Sequence, residues 1–180
     1  METLDCIKTR RSIRKFTDKE ISDDTIKQIA KLTTYSPSWK NSQTVRYIAI
    51  KDKSLKDKIA NDCINNFEWN KNIINSSNML VVELTINNIS GYNADKTPTS
   101  NKGSHWQSFD AGLSAQTFCL AAHDMGIGSV ILGLFNEEAI KKELKINDNY
   151  SISSLIAIGY PKQNPTAPQR VDVEEFLTII

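Results

Sequence analysis

Between Ser108 and Met125 the chain carries Ala111, Leu113, Ala115, Phe118, Leu120, Ala121 and Ala122, small and apolar residues on more than one face of a helix. Such a helix has no face to give to water, so it belongs in a core or at a contact between subunits. Gly126 follows as a candidate C-terminal cap. Gly128–Leu132 then reads as a strand that ends at Gly133. Whatever this chain folds into must wrap that helix and give it a sheet to cover.

The remaining elements follow from periodicity and punctuation. A short apolar stretch at Leu4–Ile7 suggests a first helix. Ser22-Asp23-Asp24 supplies an N-cap and an acidic first turn, and Ile26, Ile29, Ala30 and Leu32 continue at helical spacing to about Thr34. Pro37 biases Ser36 away from helix and opens a loop through Gln43. Val45–Ile50 reads as a strand, 54–65 as a helix with Leu55, Ile59 and Cys63 inward, and 70–75 as a further helical turn. Met79–Ile86 is a buried strand. Residues 87–103 form the longest loop. Asn136 caps a helix to Leu144, Ile152–Ile158 is a strand, and 161–170 is a Pro-rich connector. Asp172 and Glu175 have the spacing of a capping box for a last helix. Strands and helices interleave irregularly and no GxGxxG turn is present, which favours an α+β sheet covered by helices in one domain over 1–180.

Composition narrows the function classes. A formal net charge of +1 argues against a general nucleic-acid or membrane-surface binder. No apolar run approaches the roughly 18 residues of a membrane-spanning helix, and the N-terminal residues lack an apolar signal core. Three dispersed cysteines, Cys6, Cys63 and Cys119, point to reduced thiols in the cytoplasm. Two isolated histidines, His105 and His123, make a poor zinc site, so no metal is expected. Neither a GxSxG elbow nor a phosphate-binding P-loop occurs.

Four segments could carry chemistry. Arg10, Arg11, Ser12 and Arg14 suit a phosphate dianion, because guanidinium groups donate bidentate, charge-assisted hydrogen bonds. On composition alone a solvated basic patch fits them better. Pro37-Ser38-Trp39-Lys40-Asn41-Ser42-Gln43 offers donors and acceptors to a polar ring edge, though turn chemistry explains most of it. Gly133, at a strand end, would let a flat ligand approach the backbone, and is equally a strand-ending turn. Arg170, in the connector, matters only as a partner to the first cluster.

In order and spacing the four form one pattern. With RRSIRKF at 10–16, SPSWKNSQ at 36–43, FDAGLSAQTFCLAAHDMGIGSVILGLF at 109–135 and IAIGYPKQNP at 156–165 followed by Arg170, the chain resembles the nitroreductase family of FMN-dependent oxidoreductases. The resemblance implies a mostly antiparallel central sheet flanked by helices, in an intertwined homodimer with FMN between subunits. It implies that Arg10, Arg11, Ser12 and Arg14 grip the FMN phosphate and ribityl tail, with Arg170 closing from the C-terminal side. Pro37, Ser38, Trp39, Asn41 and Gln43 would reach the flavin from the neighbouring subunit, and Leu132 and Gly133 would bring backbone donors to it.

The implied activity is hydride transfer from NAD(P)H to a nitroaromatic, a quinone or a related acceptor, by ping-pong kinetics and with no side chain named as catalytic. Two departures stand out: Thr44-Val45 where the family often has Pro-Trp, and Leu132 where some members have an acidic residue. They leave room for another flavin reaction, such as reductive dehalogenation or ring oxidation, or for FMN storage without turnover. Asn70, Lys71 and Asn72 lie where a subset of the family touches the flavin, with the register between them open. Trp39, Phe67, Trp69 and Trp106 are candidate stacking residues.

Overall fold

The computed structural model describes residues 1–65 and 67–180. In chain order it contains α1 (Thr3–Thr9), α2 (Asp23–Thr33), a short 3-10 turn at Trp39–Asn41, β1 (Val45–Ile50), α3 (Lys53–Asp62), α4 (Glu68–Ser76) and β2 (Met79–Ile86). The long α5 (His105–Asp124), β3 (Gly128–Leu132), α6 (Glu137–Leu144), β4 (Tyr150–Gly159) and a four-residue α7 (Val173–Phe176) follow. The strands form one sheet in the order β1-β2-β4-β3, antiparallel throughout. The expected α+β architecture is present.

The sequence explains why each face is covered. β2 is buried along nearly its whole length, and such a strand reads as a continuous apolar run rather than an alternation. One sheet face (Leu80, Val82, Leu84, Val130, Leu132, Leu155) packs on Ile59 of α3, Ile73 and Ile74 of α4 and Ile140 of α6. The other (Met79, Val81, Ile156, Ile158) packs on Ile29 of α2 and on Ala115, Phe118, Cys119 and Ala122 of α5. α5 thus packs against both the sheet and α2, which accounts for its small residues.

Local signals mostly act as read. The Ser22 hydroxyl accepts from the Thr25 N–H at 3.1 Å, and the Asn136 side chain accepts from the Ala139 N–H at 3.1 Å. Gly126 takes the left-handed conformation at φ +76 that ends α5. Three readings need correction. α3 stops at Asp62, and Cys63 is its cap, still buried. α5 starts at His105 rather than Ser108, because the Ser100–Lys102 turns feed directly into it. The Asp172 side chain makes no capping bond, so the capping box is not formed.

Candidate active site

The arginine segment is held at the open edge of β3. Ile13 donates its N–H to the Ser129 carbonyl at 3.0 Å, Ser12 bridges Ser129 in parallel fashion, and Thr17 donates to Tyr160 at 2.9 Å. Ile13 and Phe16 are buried, so their side chains anchor the segment. Gly128 makes that approach possible: a Cβ there would meet three Ile13 side-chain carbons at 2.8 to 2.9 Å. Ser12 and Arg14, flanking the anchor, are left outside the core.

The charge on this segment is unmatched. Among the described residues, no carboxylate lies within ion-pair distance of Arg10, Arg11 or Arg14. Arg11 donates to the Lys8 and Arg10 carbonyls at 2.7 and 2.8 Å, and Arg14 to the Ser12 carbonyl at 3.4 Å. Their influence is felt nearby. His123, at the end of α5, is held below the ordinary histidine value by burial first and then by the Arg10 and Arg11 charges. Two guanidinium groups that meet only carbonyls, beside the third of Arg10, suit a phosphate dianion, since such a group is the acceptor they lack.

Arg14, Asn70, Leu132 and Gly133 line one cavity of about 260 Å³, together with Phe67 and Ile131. Leu132 is buried and Gly133 exposed, and a Cβ on Gly133 would find no heavy atom within 4 Å. A flat ring therefore has open space against that backbone. Of Asn70, Lys71 and Asn72, Asn70 lines this cavity: it is 5% exposed and donates from Nδ2 to the Leu134 carbonyl at 3.3 Å. A polar residue at helical spacing from buried Ile73 and Ile74 was the available signal, and it marks a side chain turned inward on α4.

The second loop is elsewhere. Residues 36–43 precede β1, at the opposite edge of the sheet from β3, three strand spacings or roughly 14 Å away. Its conformation is strained: Lys40, Asn41 and Gln43 all adopt left-handed backbone angles, at φ 46, 55 and 48. Asp110 of α5 restrains it. Its two carboxylate oxygens each accept from the Trp39 N–H at 3.0 Å, and Oδ2 also accepts from the Ser90 hydroxyl at 2.6 Å. Ser38 Oγ accepts from the Gln43 N–H at 3.0 Å. Pro37, Asn41 and Gln43 remain exposed, and Trp39 packs on Trp106 with ring centroids 4.6 Å apart. Asp110 was not singled out by sequence because its neighbours Phe109, Ala111 and Leu113 are apolar and its partners Trp39 and Ser42 are distant along the chain.

One copy of the chain thus brings Arg10, Arg11, Ser12, Arg14, Leu132 and Gly133 to one edge and the 37–43 loop to the other. Arg170 is exposed in the connector and makes no ion pair among the described residues. No group of histidine, cysteine, aspartate and glutamate suited to a metal occurs among the described residues.

An antiparallel α+β sheet with an arginine-rich edge segment and a long buried helix defines a class, and comparison with known proteins identifies it. The sequence model of the Nitroreductase family matches residues 7–160, and the chain belongs to that family. It is 32% identical over 165 residues to an Archaeoglobus fulgidus protein named NADH dehydrogenase/NAD(P)H nitroreductase, covering 89% of this chain and 86% of the relative. A nitroreductase family protein of Clostridium novyi NT superposes with a TM-score of 0.79 at 30% identity, over 93% of this chain and 89% of that one. A nitroreductase of Desulfovibrio desulfuricans in complex with FMN superposes with a TM-score of 0.80 at 25% identity, over 100% and 98%.

Proposed function

We propose that this protein is an FMN-dependent oxidoreductase that passes hydride from NADH or NADPH to a nitroaromatic, a quinone or a related small acceptor. The observation that carries the reading is the unpaired arginine cluster fastened beside the open backbone of Gly133. A relative named for NAD(P)H nitroreductase activity and a structural neighbour holding FMN support it.

Arg10, Arg11, Ser12 and Arg14 would hold the phosphate and ribityl tail, and Arg170 would close on the phosphate from the connector. Asn70 and the Leu132–Gly133 backbone would hydrogen-bond the ring edge. FMN, when bound, supplies the redox chemistry, while the protein positions it and tunes its surroundings. Donor and acceptor would use the same exposed face in turn, which gives ping-pong kinetics.

The separation of the two edges argues that Pro37, Ser38, Trp39, Asn41 and Gln43 serve the flavin of a second copy, in a homodimer. Phe109 and Ile131 are exposed in one copy, as are Val173, Phe176, Leu177 and Ile179. Apolar area of this extent suits a partner surface. Cys6, Cys63 and Cys119 are buried free thiols, and no helix among the described residues is long and apolar enough to cross a membrane; both fit the cytoplasm.

The test is spectroscopic. Purified protein should be yellow, and NADH or NADPH should bleach it under argon. Colour that neither nucleotide bleaches rejects the nicotinamide half of the reading.

A further inference from the structure

Glu83 is a carboxylic acid in the middle of the sheet, 1% exposed, between Val81 and Thr85 on β2. Its Oε1 accepts from the Tyr47 hydroxyl at 3.0 Å and its Oε2 from the Ser154 hydroxyl at 2.7 Å. Tyr47 in turn meets the Ser114 hydroxyl of α5 at 2.8 Å. Every link is an O–H group or a carboxyl, so the row Ser114–Tyr47–Glu83–Ser154 can pass a proton by each member taking one and giving one.

Both ends of the row open into cavities. Ser114 and Tyr47 line a cavity of about 110 Å³ beneath the 36–43 loop, with Asp110 and Thr44, whose hydroxyl is buried without a partner among the described residues. A space of that size with Asp110, Ser114 and Thr44 on its wall has room and partners for a water. Glu83 and Ser154 line a second cavity of about 280 Å³, with Gln116 and Ile131. Ile131 also lines the Gly133 cavity. β3 pairs with β4 as far as Leu132 with Leu155, the residue after Ser154, so Ser154 stands beside the end of the β3 ladder. A β-bulge intervenes at this point, since Glu83 pairs with Ser154 but Leu84 with Ile152. Bulges of this kind re-aim side chains beside functional sites.

We infer that Glu83 is a proton-holding residue for the redox site at the end of β3, loaded and emptied through Tyr47 and Ser154. The inference rests on the oxidoreductase reading above. Hydride transfer gives an acceptor two electrons and one proton, and a quinone needs one further proton to become a hydroquinone. Glu83 supplies that proton through Ser154 and is recharged from water through Ser114 and Tyr47. The surroundings favour the protonated acid. β1 presents Tyr47, β4 presents Ser154, and α5 presents Asp110, Ser114 and Cys119, none of them positively charged. Arg46 lines the smaller cavity but donates to the Gln43 and Val45 carbonyls at 2.7 Å. Burial accordingly pushes the Glu83 carboxyl up from its ordinary value, against the two hydroxyl donors.

Two measurements decide the matter, with Tyr47→Phe as a second variant that interrupts the row and leaves the carboxyl in place. Infrared titration of the cofactor-free protein should show a protonated carboxyl band that persists after exposed carboxyls have ionised and is absent from Glu83→Gln. Lack of such a band overturns the inference. In the FMN-loaded protein, both variants should reduce benzoquinone on the order of tenfold more slowly than wild type. Its KM should be unchanged, and ferricyanide, which takes an electron without a proton, should be reduced at the wild-type rate. Equal losses on both acceptors, or no loss, would mean that Glu83 only supports the sheet. A band in a protein that neither nicotinamide reduces removes the redox reading and the relay's destination together, leaving a buried acid.

Discussion

The Trp39 backbone N–H lies 3.0 Å from each carboxylate oxygen of Asp110, so a buried carboxylate of α5 fastens the backbone of the 36–43 loop. Ser90 and, at 3.5 Å, Ser42 donate to the same carboxylate. Three left-handed residues in that loop need such a restraint, because each costs of the order of 1–2 kcal/mol in isolation.

Replacing Asp110 by Ala should therefore act on the loop and on stability at once. Orphaning two or three donors to a buried carboxylate costs about 3 kcal/mol. Chemical denaturation should show that loss, and limited proteolysis should cut within 36–43 first. Unchanged stability with an uncut loop would contradict the restraint.

Two glycines should respond in opposite ways. Gly128→Ala drives a methyl into Ile13 and should lift the arginine segment from β3, at a cost of about 1–3 kcal/mol in stability and with loss of phosphate binding. Gly133→Ala meets nothing, so its melting temperature should stay near wild type while FMN affinity falls. Equal effects of the two on stability would show that the open space at Gly133 has been misread.

His123 offers a reporter for the anion. Burial and the Arg10 and Arg11 charges depress its pKa in the fold, so stability it contributes is present above the unfolded value near 6.5 and lost as pH falls. A phosphate dianion beside those arginines should raise the value. With only two histidines in the chain, NMR titration can follow it directly, with and without FMN. An unmoved His123 would place the phosphate away from Arg10 and Arg11.

Glu83 carries the opposite sign. Its folded pKa is raised, so its contribution is full below the unfolded value and is lost as pH rises through the folded one. Glu83→Gln should accordingly gain on wild type in melting temperature as pH increases. A difference that is flat with pH would indicate an acid already ionised in the fold.

Much of the fold was legible because its signals are local. Ser22 and Asn136 cap as read, the apolar run of β2 is a buried strand, and the composition of α5 announced a helix covered on most sides. The misses share a physical cause. Glu83 and Asp110 are polar residues inside largely apolar elements, and their partners lie 36 or more residues away, save Ser90. No local pattern states such a partner. The resemblance implied that the site is divided, but the two sheet edges that carry its halves were not legible, because they depend on β1 and β3 being the outer strands.

The most direct measurement is equilibrium binding of FMN to cofactor-free protein, followed by flavin fluorescence, for wild type and for a variant with Arg10 and Arg14 both replaced by Ala. Wild type should bind, and the variant should bind roughly a hundredfold more weakly, the consequence of losing charge-assisted contacts worth at least about 3 kcal/mol together. Wild-type affinity retained in a folded variant would contradict the assignment of these arginines to the flavin phosphate.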